Sequence, residues 1–280
     1  MCLILIAWQA HPAFPLVVAA NRDEFHARRS ASVDFWPDHP DLLAGRDLEA
    51  GGTWLGTNRS GRFAALTNYR APALQKPDAP SRGQLVTDFL TGDLAIDAYL
   101  DTLTPDDYNG FNLLLCDRHQ LVAFSNVTMQ RHTLAPGVYG LSNALLDTPW
   151  PKVDAGRTAL NAALDDLPDE AALWTLLRDD TPHPDHLLPT TGVSLEWERL
   201  LSAAFIRGTD YGTRCSTLLK VDVGGTASLD EQTWQPGGQA GSRRRFRWKT
   251  THQRGCRAEG IGSSPLFDRQ KTPVIETGFG

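Results

Sequence analysis

The chain has 280 residues, 41% of them hydrophobic, which is enough to bury the core of one large domain or two small ones and excludes disorder of the whole. Its 27 basic and 33 acidic residues leave a formal net charge of -6, so it offers no basic footprint for nucleic acid. No window approaches the ~18 uncharged apolar residues of a membrane span, and Cys2, Cys116, Cys215 and Cys256 show neither CxxC nor Cys/His zinc spacing, a usage that fits a reducing cytoplasm.

The opening run LILIAW lacks a basic flank and a small-residue cleavage site, so it reads as a buried strand. It returns across AHPA as FPLVVAA, the second arm of a hairpin. Residues 27–52, rich in Pro, Gly and Asp, read as a long surface excursion. GTWLGT and RFAALTN form a second hairpin about NRSG, and helical spacing follows in RGQLVTDFL and LAIDAYLDTL. FNLLLCDRHQLVAFSN reads as a third hairpin and GVYGLSNAL as one more strand. KVDAGRTALNAALDDL and DEAALWTLLRDD are amphipathic helices, after which TRCSTLLKVDV and ASLDEQTWQ return to strand. Strands, then helices, then strands, without regular βαβ alternation, predict an α+β fold layered on antiparallel sheets. The expected domain covers residues 1–248; residues 249–280, without periodicity and rich in Gly, Ser and charge, are expected to form a poorly ordered tail.

Cys2 directly follows the initiator methionine. A small side chain there favours removal of Met1, which leaves one residue carrying both a thiol and a free α-amine. With reference pKa values of ~8.5 and ~7.7–8.0, a proton passes from sulfur to nitrogen at little cost near neutral pH. A cysteine opening an apolar strand also fits a small buried hydrophobe. If the first two strands pair antiparallel, Asn21, Arg22, Asp23 and Glu24 lie beside Cys2. Asp23 would then hold the amine, while Arg22 would lower the thiol pKa and orient the carboxylate; a solvated turn is the plainer reading. Asn68, Asn143 and Arg214 sit at the ends of apolar runs. Asparagine amides supply neutral donors to an oxyanion without a titrating group, and are also ordinary turn residues. Trp54, with Phe35 and Trp36, is a candidate wall for an apolar acyl chain, the other reading being core. His183 and His186 stand in a Pro-rich loop and read as solvated rather than as a metal pair.

MC at the start, AANRDEF, AGRDLEAGGTWLG, FAALTNYR, YNGFNLLL, YGLSNALLDTPWPKV and DYGTRCSTLL together resemble the NRDE family, also called the transport and Golgi organisation protein 2 family, from Met1 to about Trp248. That family is similar, more remotely, to cysteine N-terminal-nucleophile hydrolases such as choloylglycine hydrolase and penicillin V acylase. The resemblance implies a four-layer αββα sandwich with Cys2 as nucleophile. Arg22 and Asp23 match an Arg and Asp that the hydrolases separate by a few residues. Asn143 matches the oxyanion asparagine and Arg214 the late arginine; Asn68 is the weakest match. The implied activity is that of an amidase or acyltransferase on a small amide, thioester or acyl ligand, with no cofactor required. The alternative implied is a non-catalytic carrier of haem or acyl-CoA and other lipids; the absence of CxxCH disfavours covalent haem.

Overall fold

In the computed structural model, which describes residues 2–251, the strands in chain order begin with β1 (Cys2–Trp8), β2 (Leu16–Phe25), β3 (Ser30–Trp36), β4 (His39–Asp47), β5 (Leu55–Asn58) and β6 (Phe63–Asn68). They continue with β7 (Phe111–Cys116), β8 (Leu121–Ser125), β9 (Gln130–Thr133), β10 (Gly137–Leu141), β11 (Tyr211–Val221), β12 (Thr226–Gln235) and β13 (Gln239–Lys249). The helices are α1 (Gly83–Thr91), α2 (Ile96–Asp101), α3 (Pro151–Ala163), α4 (Ala171–Leu176) and α5 (Leu195–Leu200).

Side-chain alternation along β1 and β2 sets the layers. Ile4, Ile6 and Trp8, with Leu16, Val18 and Ala20, enter a core shared with Leu55, Phe63, Ala65 and Leu114 of the other sheet. Leu3, Leu5 and Ala7, with Val17 and Ala19, face Val153, Leu160 and Leu173 of α3 and α4. Such strands carry no polar face and read as continuous apolar runs. The six-stranded sheet runs β10-β1-β2-β11-β12-β13 and the seven-stranded sheet runs β3 through β9 in sequence order. Every strand pair is antiparallel. Helices α1 and α2 cover the outer face of the seven-stranded sheet through Leu85, Phe89, Ile96 and Tyr99. The result is the four-layer αββα sandwich of antiparallel sheets, an α+β fold. Each fully buried Leu, Ile or Phe stabilises it by about 1.5–3 kcal/mol.

Residues 27–52 are not a surface excursion. They form the β3–β4 hairpin, which buries Val33, Leu42, Leu43 and Ala44. Register shifts between Ala31 and Asp34 and between Phe35 and Trp36 mark bulges that break the two-residue period and hide the strands from a pattern search. Strands β9 and β13 and helix α5 were likewise not marked by the apolar pattern. β9 and nearly all of β13 are exposed edge strands, and β13 carries Arg243, Arg244, Arg245 and Arg247, the charged composition expected of an unpaired edge. Residues 252–280, most of the expected tail, lie outside the described residues.

Asn21, the first letter of the NRDE cluster, is a structural clamp. It is fully buried, its Nδ2 donates to the carbonyls of Leu177 (2.9 Å) and Ala204 (2.8 Å), and its Oδ1 accepts from Ser216 Oγ at 2.6 Å. One side chain therefore satisfies two buried loop carbonyls on the helical side of the sheet. Replacing Asn21 with leucine keeps the approximate volume and strands those groups. The expected outcome is a loss of about 2–4 kcal/mol, read from the urea unfolding midpoint at unchanged m-value.

Candidate active site

The register of β1 against β2 puts Cys2 opposite Arg22, and β11 on the other side of β2 puts Cys215 opposite the same arginine. By alternation Cys2 and Arg22 share the inter-sheet face with Ile4 and Ala20, while Asp23 shares the helical face with Asn21 and Ala19. Cys2 and Arg22 line a cavity of about 650 Å³ at the end of the inter-sheet space, walled also by Glu24, Asn68, Arg82 and Arg214. Its rim depends on contact between two backbones. A Cβ on Gly52 would lie 2.5 Å from the carbonyl carbon of Gly83, so only glycine lets the loop before β5 touch the start of α1.

Cys2 is held along its backbone. Its nitrogen donates to Asn143 Oδ1 at 3.4 Å and its carbonyl accepts from Ser142 Oγ at 3.0 Å. The Asp23 backbone N–H is directed at its sulfur. Burial pushes the thiol pKa up, opposed by the ammonium at the chain start and by Arg22. Asn143 Nδ2 donates to the Asn68 carbonyl at 2.8 Å, which assigns its amide orientation and leaves Oδ1 for the Cys2 nitrogen. Asn143 thus gives one amide N–H to the backbone and its oxygen to the Cys2 nitrogen, and its second N–H is the donor left for the expected oxyanion role. Asn68 itself lines the cavity.

Asp23 lies on the other face, within the sheet's helical side. Thr213 Oγ1 donates to its Oδ1 at 2.7 Å, and Tyr211 Oη donates to its carbonyl at 3.1 Å. Burial raises its pKa, and the Lys152 ammonium is the main charge opposing that rise. Arg22, pointing to the opposite face from its chain neighbour Asp23, acts on this carboxylate through its field. Arg22 approaches Glu24 (3.8 Å) and Asp47 (3.9 Å). Arg214 sits at a bulge in β11 and donates to the carbonyls of Phe25 (2.8 Å) and Arg28 (2.9 Å). Of the expected aromatic wall, Trp54 lines the cavity. Phe35 packs edge-on to Phe246 and Trp248, and Trp36 is buried beneath α1 with its indole N–H on Ala44 O, so neither serves as wall.

Lys152 is the residue that sequence reasoning missed. It lies in the first turn of α3, after a Trp150-Pro151 start, where a lysine on an amphipathic helix reads as solvated. It is 3% exposed, and its Nζ donates to Leu201 O at 2.9 Å. Its neighbour Arg70 is paired with Glu198 at 2.8 Å and lies over the Trp150 ring. The WPK in TPWPKV was the available signal: it starts a helix on the buried side and carries a cation into it. Glu231, buried behind Arg22 and accepting from Val33 N–H at 2.8 Å, was also missed. Among the described residues no group of three or more His, Cys, Asp or Glu side chains could hold a metal ion.

The model of the family described as Transport and Golgi organisation 2 matches residues 1–236. The chain belongs to that family. A Bos taurus Transport and Golgi organization protein 2 homolog is 38% identical over 259 residues, which cover 83% of this chain and 93% of that one. The Homo sapiens homolog is 36% identical over 257 residues, with the same coverage of each chain, 83% and 93%. The Drosophila melanogaster family member is 29% identical over 263 residues, covering 83% and 92%. Two solved structures align at a TM-score of 0.44. One is a Caenorhabditis elegans N-acylethanolamine-hydrolyzing acid amidase ortholog, 11% identical, covering 78% of this chain and 92% of that one. The other is a C2A mutant conjugated bile acid hydrolase from Clostridium perfringens, 12% identical, covering 90% and 98%. Among the described residues no helix of this family member is long and apolar enough to cross a membrane.

Lys152 gives the site a pH signature. Burial lowers its pKa from the ordinary 10.5 to about 8, and its place at the positive end of α3 acts in the same direction. A lysine with a lowered folded pKa favours the unfolded state while charged, so its penalty is full below the folded value and vanishes above the unfolded one. The protein should therefore gain stability as pH rises from about 8 to 10.5, and Lys152→Met should lack that gain. Urea midpoints at the two ends of this window, compared between the two proteins, check it.

Proposed function

We propose that, once Met1 is removed, this protein is an N-terminal-nucleophile amidohydrolase or acyltransferase acting on a small amide or thioester. The observation that carries the reading is that Cys2 lines the cavity while its own nitrogen is held by Asn143 Oδ1. Freed as an amine, that nitrogen takes the thiol proton as sulfur attacks the substrate carbonyl carbon. Asn68, on the same wall, and the second amide N–H of Asn143 supply neutral donors for the oxyanion that forms.

Collapse breaks the bond to the leaving nitrogen or sulfur, which takes the proton from the Cys2 ammonium and leaves a thioester on Cys2. Water, or an amine acceptor, then attacks that thioester and restores the thiol. Asp23, clamped by Thr213 and opposed by Lys152, stabilises the ammonium from the helical side of the sheet. The chemistry balances with these groups alone, so the mechanism calls for no metal or organic cofactor.

The mass of the intact protein should lack Met1, since retention converts the amine into an amide without useful basicity. With a β-lactam or acyl-thioester probe the native protein should acquire one acyl group on Cys2. Cys2→Ala should acquire none, and Cys2→Ser should lose at least about a hundredfold in rate, the scale of an activated nucleophile replaced. Unchanged labelling of Cys2→Ala ends the proposal. Saturable binding of acyl-CoA or haem that survives Cys2→Ala without turnover favours the non-catalytic carrier instead.

A further inference from the structure

Five arginines line the cavity around Cys2, and carboxylates lie within ion-pair distance of three of them, Arg22, Arg28 and Arg46. Arg28 bonds Asp47 at 2.8 Å and approaches Glu24 at 4.0 Å, while Arg46 pairs with Asp38 at 2.8 Å. Two further guanidinium groups on the wall have no such partner. Arg82 donates to the Gly110 carbonyl at 2.9 Å, Arg214 donates to those of Phe25 and Arg28, and among the described residues neither lies within 4.0 Å of a carboxylate. Arg22 adds a third observation: the residue is 9% exposed, and its Nη1 has no hydrogen-bond partner.

Arg82 is the N-cap residue of helix α1, and it and Gly83 line the wall, so the positive end of the helix faces the same space. Burial lowers the pKa of both Arg82 and Arg214, and the Cys2 thiolate is the largest charge effect opposing that fall at Arg82. Partly desolvated cations without a counter-charge are costly unless an anion joins them. Guanidinium groups match carboxylate and phosphate oxygens in geometry and sign.

We propose that the substrate is an organic anion whose carboxylate or phosphate seats against Arg82 and Arg214 while its scissile carbonyl meets Cys2. The inference rests on the reading of this cavity as the substrate site. Its anion subsite is a binding property, however, and can be measured without turnover.

Two arms test it. In the first, phenyl phosphate, benzoate and benzyl alcohol are titrated into the purified protein by calorimetry. One or both anions should bind saturably, with the better one naming the head group, and benzyl alcohol should not bind. Arg82→Gln with Arg214→Gln should weaken anion binding at least about tenfold, as should raising salt toward 1 M, where the screening length shrinks to about 3 Å. Arg82→Lys should retain part of it and guards against a double variant that does not fold.

In the second arm, Cys2 is alkylated with iodoacetate and with iodoacetamide, and the ratio of the two rates is compared with that of N-acetylcysteine. Because both reagents meet the same thiolate, the ratio is independent of the thiol pKa. It should favour iodoacetate by about tenfold relative to N-acetylcysteine, the effect of about 1.4 kcal/mol of attraction, and fall toward the small-thiol value in Arg82→Gln. Equal binding of benzyl alcohol and the anions, or anion binding unchanged in the double glutamine variant, overturns the anion subsite. Anion binding with a Cys2 inert to both reagents keeps the subsite and rejects the nucleophile.

Discussion

Burial of β1 and β2 on both faces is the constraint from which the rest follows. A slip of one residue turns every side chain of a strand to the other face. Here any slip of one residue would exchange Ile4 and Ile6, packed between the sheets, with Leu3 and Leu5, packed under α3. The register is therefore held by the whole length of the hairpin, and its last pair, Cys2 with Arg22, inherits that precision. Asn21 reinforces the same end by tying β2 to the loops around Leu177 and Ala204. A thiol at a chain terminus, ordinarily the most mobile place in a domain, is held like a core residue.

The sheet then separates charges by face. On the inter-sheet side, Arg22 lies between Cys2 and Cys215, with Glu231 buried behind it. On the helical side, Asp23 meets Thr213 and the field of Lys152, and beyond them lies the buried Arg70–Glu198 pair, each side chain about 5% exposed or less. Buried pairs of this kind contribute little net stability, because desolvation offsets their attraction. Their effect is positional. Arg70 N–H donates to the Asn143 carbonyl at 2.7 Å, and Glu198 accepts from Thr191, so the pair ties the turn after β6, the turn after β10 and α5 around one point. Asn143 is consequently fixed from both sides, and its Oδ1 stays on the Cys2 nitrogen.

Membership of the Transport and Golgi organisation 2 family and the internal geometry bear on different questions. The family match spans residues 1–236 and accounts for why the blocks around Cys2, Asn68, Asn143 and Arg214 occur together in one chain. What those blocks do follows from where their atoms lie. The cavity is built mainly from polar and charged groups, with Trp54 and Trp234 as its aromatic lining residues.

Much was legible from sequence because it depends on local pattern. Apolar runs bounded by turn residues marked the hairpins β1–β2, β5–β6 and β7–β8, and their order implied antiparallel sheets with helices outside. Cys2, Arg22 and Asp23 could be placed at one end of a hairpin by counting residues alone. The hairpin over residues 27–52 escaped because its bulges break the two-residue period, and β13 because an exposed edge strand needs no apolar alternation. Roles depended on tertiary structure. Which partners the Asn143 amide binds, that Arg214 donates to two backbone carbonyls, and whether Lys152 is solvated or buried depend on which groups from distant segments arrive at the same point. A one-dimensional pattern records the period of a strand or helix, whereas a side chain's charge state and hydrogen-bond sense are fixed by partners far along the chain, 190 positions apart for Asp23 and Thr213 and 198 for Glu231 and Val33.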